Sequence, residues 1–193
     1  MPSIIYIVAI MMLSFSYSYA ETEDWYVMLS YGEAENVAPD DIEQVITDNE
    51  TTSGTHRVSS SAEIAMYWPG VNKKLLFGFA LNASVDRVNN QDTSANEFSH
   101  NTYNISGSVL QFVDGTVGRG FYYRADIGRA SSEFHYQNGD ITVNGSGNSL
   151  LVGIGYSYVM TRGTRLIYSL NALDMNINHQ RYTSSQLALG ILW

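Results

Sequence analysis

From residue 25 to residue 193, apolar residues recur at every second position, the period of a β-strand with two unlike faces. Over 25–32, Trp25, Val27, Leu29 and Tyr31 alternate with Tyr26, Met28, Ser30 and Gly32. Over 61–68, Ala62, Ile64, Met66 and Trp68 alternate with Ser61, Glu63, Ala65 and Tyr67. The alternation continues over 75–85, 121–128, 151–160 and 186–193, and less cleanly over 101–113 and 165–175. The pattern predicts an all-β chain of eight strands.

The connections run 36–57, 69–73, 89–100, 114–119, 133–148, 161–164 and 176–182, and long and short alternate through most of the chain. The short ones hold turn chemistry, in "PGVNKK", "DGTVGRG" and "TRGT"; the long ones are polar. Short turns at one end and long loops at the other are the layout of an up-and-down barrel in an outer membrane. An even strand count brings both ends of the sheet to the periplasmic side. One face of each strand is apolar or aromatic and nearly free of charge. The other carries Gly, Ala, Ser and Asn with a few large or charged residues. A soluble barrel would set its charged face outward, so the apolar face is expected to meet lipid. The mixed face then fills a lumen only wide enough for side chains. The expected fold is an eight-stranded antiparallel up-and-down transmembrane β-barrel.

Aromatic placement points the same way. Trp25 opens the first strand, Trp68 ends the second and Trp193 ends the last, all at the periplasmic rim with Phe121 and Tyr158. Tyr31, Tyr103 and Phe134 are expected near the outer rim. Amphipathic rings favour headgroup depth, so these residues form a candidate aromatic girdle. The stretch "LALGILW", 187–193, resembles the C-terminal assembly signal of bacterial outer-membrane proteins, a terminal aromatic preceded by alternating apolar residues. With "GFYYRADIG" and the strand layout, residues 25–193 resemble the small eight-stranded outer-membrane barrels, such as the OmpA transmembrane domain and OmpX. The resemblance implies a bacterial outer-membrane location. It also implies contact with membrane lipid and lipopolysaccharide, and recognition of the last strand by the barrel assembly machinery.

Composition narrows the remaining classes. The formal charge of −9 disfavours nucleic-acid binding. Without cysteine there is no disulfide framework and no thiolate metal site. Residues 1–20, "MPSIIYIVAIMMLSFSYSYA", carry no charge and end in Ser18-Tyr19-Ala20, with small residues at −3 and −1. They read as a signal peptide cleaved after Ala20, although no basic residue precedes the apolar run. A single N-terminal membrane helix is the rival, for which the run is short. Residues 21–193 form the barrel domain.

Candidate chemistry is sparse. Glu63, Arg124, Asp126 and Arg165 are expected inside the barrel as a charge network, because a lumen charge must be paired or hydrated. His56, His100, His135 and His179 fall in or beside the long connections and are expected to face the exterior, without metal-ligand spacing. The best enzyme candidate is His135 with Ser131, Ser132 and Glu133. Some eight-stranded barrels are lipid A deacylases or acyltransferases, and the deacylases place a Ser two residues after the His; here that residue is Gln137. The first long connection holds Asp40, Asp41, Glu43, Asp48 and Glu50, too irregular for a calcium loop. No catalytic residue, metal or cofactor is assigned. The expected role is structural or surface-interacting, through the external loops and without an open pore. The alternatives are a lipid A-modifying enzyme and a small-solute pore.

Overall fold

The computed structural model describes residues 25–40, 42–44, 47, 55–70, 74–90, 98–114, 116–136, 139–161 and 163–193. Side chains are not described at 55, 56, 89, 90, 98, 136 and 139–144. The expected signal peptide, 1–20, and its expected cleavage site lie outside the described residues.

Eight strands form one closed antiparallel barrel in sequence order. They are β1 (Tyr26–Val37), β2 (Thr55–Pro69), β3 (Leu75–Asn90), β4 (Phe98–Phe112), β5 (Gly120–Tyr136), β6 (Gly139–Thr161), β7 (Thr164–Ile177) and β8 (Gln180–Leu192). Closure is made by β8 against β1, from Met28↔Leu192 to Val37↔Thr183. Two further bonds join Val27 and Trp193, at 2.8 and 3.0 Å. Closure removes both sheet edges.

The alternation sorts the faces as the pattern predicts. Ile64, Met66, Phe77, Phe79, Leu81, Ile127, Val152, Ile154 and Leu189 point outward and are exposed. On β6 the outward apolar run goes from Leu150 to Met160. Ten steps of about 3.3 Å, tilted by about 40°, make a belt about 25 Å tall, the height of a bilayer's hydrocarbon core as barrels span it. Beyond its outer edge the outward positions turn polar, with Glu33, Arg87, Asn101, Arg129, Asn148 and Asp174. Among the described residues Glu33, Glu35, Asp40, Glu43, Asp86, Glu133 and Asp174 lie at or beyond that edge, against Arg57, Arg87, Arg129 and Arg181, so the described outer end is acidic.

The outer connections differ from expectation. Residues 133–148 are not a loop: β5 runs to Tyr136 and β6 begins at Gly139. Residues 176–182 are not a loop either. Asn178 and His179 alone turn the chain, with φ of 51° and 66°. Two positive φ angles make the turn that matches the twist of a two-residue hairpin. Strands thus continue well past the belt on this side of the barrel.

Candidate functional site

The lumen is stacked in three layers. The layer at the short-turn end is apolar: Tyr26, Met28, Tyr67, Leu76, Leu110, Phe112, Tyr122, Ile167 and Leu192 pack as one cluster with Val117. Val117 comes from the β4–β5 turn, which tucks beneath the inner mouth. In the same turn Gly118 has φ +76°, and a Cβ there would strike the Arg165 side chain. The Gly118 carbonyl accepts a bond from Ser157 Oγ at 2.8 Å.

The middle layer is polar and charged. Arg124 on β5 reaches across the lumen to Glu63 on β2, with Nη1 to Oε1 at 2.5 Å. Its Nε donates to Asp126 Oδ1 at 2.9 Å, and its Nη2 donates to Oδ2 of the same residue. All three side chains are almost fully buried. Ser108 Oγ donates to Asp126 and bonds the Tyr67 hydroxyl at 3.0 Å. Asn82 Nδ2 lies 3.4 Å from Glu63 Oε2 and exchanges two amide bonds with Gln186, at 3.1 and 3.2 Å. Each buried charge therefore meets an opposite charge plus neutral partners, as a low-dielectric interior demands.

Arg165 shares the inward direction but not this network. It sits at the inner mouth, its guanidinium 5.3 Å from the centre of the Tyr26 ring. β7 has only just entered the barrel at this residue.

The outer layer is apolar again, with Ala38, Val88, Ala130, Phe134, Leu151, Leu173, Met175, Ile177 and Tyr182. Ile42, from the connection after β1, packs onto it. Phe134, expected at the outer rim, points into the lumen instead. Its strand is already above the belt, where the inside is the dry side. Glu43 holds the connection down. Its Oε1 accepts from Arg57 Nη1 at 3.0 Å and its Oε2 from the Ala38 amide at 3.2 Å. Arg57 Nη2 also donates to the Asn36 carbonyl at 2.8 Å and to Asp86 at 3.3 Å.

The histidines do not all face outward. His100 points into this outer layer and is buried, its Nε2 2.8 Å from Ser132 Oγ and its ring 5.6 Å from that of Tyr182. It lies beyond Asn101, outside the belt, opposite Asp86 and Phe134. His135 is exposed, 3.7 Å from Glu133. His179 is exposed in its turn, and the side chain of His56 is not described. Strand alternation puts Ser132 and His135 on opposite sides of the wall. Ser131 shares the face of His135 but lies four residues away, about 13 Å. No hydroxyl of this stretch therefore meets His135. Sequence proximity concealed the real partner of Ser132, which is His100 on the next strand. Among the described residues no three His, Asp or Glu side chains are placed to hold a metal ion.

Burial pushes the His100 pKa below its usual 6.5; Asp86 opposes the shift, Arg57 adds to it and Glu43 opposes it. With the folded value depressed, the unfolded chain takes up the proton first as pH falls. Stability is full above the unfolded pKa and is lost as pH drops through it toward the folded value. Urea unfolding of the reconstituted barrel is expected at lower denaturant at about pH 5.5 than at about pH 7.5, and His100→Gln should remove most of that difference.

Trp25, Trp68, Phe121 and Tyr158 are exposed outward, and Trp193 is half-buried. Phe121 stacks edge-on against Tyr156 at 5.0 Å and Trp68 against Phe79 at 6.2 Å. Tyr31 and Tyr103 are exposed at the outer edge of the belt.

A closed eight-stranded barrel, apolar outside and polar at mid-height within, is a barrel of the outer-membrane type. Solved structures agree on the fold. Neisserial surface protein A aligns over 88% of this chain and 96% of its own, at 15% identity and a TM-score of 0.56. Ail, the attachment invasion locus protein of Yersinia pestis, aligns over 89% of this chain and all of its own, at 8% identity and a TM-score of 0.52. No protein-family model and no curated protein sequence matches the chain.

Proposed function

We propose that the chain is an integral bacterial outer-membrane protein with a non-enzymatic role, structural or surface-interacting, exercised through its outer end. One observation carries the reading. An apolar belt surrounds a lumen whose described side chains pack at three heights. The belt suits lipid and lipopolysaccharide, and the filled lumen suits a protein that does not conduct. Export with cleavage after Ala20, and assembly through the 187–193 strand by the barrel machinery, belong to the same reading.

An epitope placed within 48–54 tests the reading. Antibody should reach it on intact cells, the protein should fractionate with the outer membrane, and planar bilayers should show no conductance steps. The mass spectrum of lipid A should not change on expression. Recovery from the soluble periplasm would overturn the proposal, and an altered acyl count would restore the enzyme.

A further inference from the structure

Registers on four adjacent strands align a row of outward side chains just above the belt. Arg129 on β5 is opposite Asn148 on β6. Asn148 is opposite Asn176 on β7, and Asn176 is opposite Arg181 on β8. All four are exposed. Three strand spacings separate the two arginine backbones by about 14 Å. At and above the two asparagines, between β6 and the β7–β8 turn, lies an open polar groove of about 390 Å³, lined by Ser146, Gly147, Asn148, Asn176, Asn178 and His179. It exists because β7 and β8 turn at once through Asn178 and His179, whereas β6 continues upward beside them.

We infer that this row is a headgroup site for an anionic glycolipid of the outer leaflet, the phosphorylated disaccharide of lipopolysaccharide. The inference rests on the outer-membrane reading above and deepens it. Three observations select the ligand. The first is charge. The outer end is acidic, yet this sector brings together two of its four arginines: Arg129 bonds the neutral amide of Asn148, and Arg181 stands opposite Asn176. Its adjacent carboxylate, Asp174, is already held by Arg181 at 2.7 and 3.1 Å. The next carboxylate along β5, Glu133, lies four residues higher, beside His135.

The second is donor geometry. Arg129 spends Nη1 on Asn148 Oδ1 at 3.0 Å, which fixes the guanidinium and leaves Nε and Nη2 for a phosphate. Arg181 spends Nε and Nη2 on Asp174 and keeps Nη1. Amide and hydroxyl groups between the two arginines suit the hydroxyls of a sugar. The third is continuity. Ile127 on β5 and Leu150 on β6 lie directly below the row, exposed on the same wall, where acyl chains would run; on β7 the paired Asp174 and Ala172 come first and Leu170 lies beneath them. An amphiphile with charge at both ends of a polar head and apolar chains beneath it meets a matching surface at each level.

The test uses the full barrel, folded in detergent as judged by heat-dependent mobility, with native mass spectrometry reading retained lipid. The probes are bisphosphorylated lipid A, monophosphorylated lipid A and phosphatidylglycerol. The bisphosphorylated lipid should be retained about tenfold better than phosphatidylglycerol, with the monophosphorylated form between them. Arg129→Gln and Arg181→Gln should each reduce that preference several-fold. Arg87→Gln, an outer arginine outside the row, should leave it unchanged. Equal retention of phosphatidylglycerol, or an equal loss in Arg87→Gln, would show a diffuse charge effect and overturn the site. A barrel that enters vesicles but does not discriminate among the three lipids overturns the site alone. A chain that does not enter vesicles overturns the membrane reading itself.

Discussion

Arg124→Met is expected to destabilise the folded barrel by about 3–5 kcal/mol, the cost of leaving buried charge without its partner. Among the described residues Arg124 is the one cation bonded to both Glu63 and Asp126, and the three side chains are almost wholly removed from solvent. Without it, two carboxylates face each other across a dry layer, closed above and below by apolar clusters. Serine and amide neighbours donate to them but carry no charge. Replacing the set together, as Glu63→Leu, Arg124→Met and Asp126→Leu, should recover most of the stability, because apolar groups of similar volume need no counter-charge. Urea titration of vesicle-inserted protein, read by heat-dependent mobility, measures both. A single mutant as stable as the parent would mean that water reaches the middle layer, and the filled lumen would have to be abandoned.

The charges of this network were legible as inward positions, but their pairing was not. Glu63 and Arg124 lie on strands that are not neighbours, and only the closed barrel brings them together. Strand order was legible because the outward face is uniform: Val152, Ile154, Tyr156 and Tyr158 leave no doubt about the period. Above the belt that signal reverses. Leu173, Met175 and Ile177 turn inward while Asp174 and Asn176 turn outward, the sense of a water-soluble barrel. Such a stretch reads as polar and loop-like when one looks for an outward apolar face. The reversal was nonetheless written in the chain, in the alternation of 172–177 and in Phe134 between Glu133 and His135. The two-residue turn at Asn178 and His179 carried no Gly to mark it. The inner half hid its alternation differently, since Leu110 and Phe112 inside stand beside Val109 and Val113 outside. The row from Arg129 to Arg181 depends on registers across four strands, which spacing along the chain does not fix.

Ile154→Arg should cost about 2–4 kcal/mol in a bilayer, the penalty for an arginine on the lipid face of a barrel near the midplane. Ile154 is exposed at mid-height on β6, with Val152 and Tyr156 on the same outward face. It donates nothing to the lumen, so no packing is lost when it changes. On a soluble barrel an exposed position of this kind would tolerate arginine within about 0.5 kcal/mol. The substitution therefore measures the solvent around the barrel rather than the barrel itself. Asn148→Arg, six residues higher on the same face and above the belt, should cost less than about 1 kcal/mol. A steep difference between the two, read by urea unfolding from vesicles, is what a lipid-embedded belt produces. Two equally small penalties would leave the apolar exterior needing another partner, and the outer-membrane placement would fall with it.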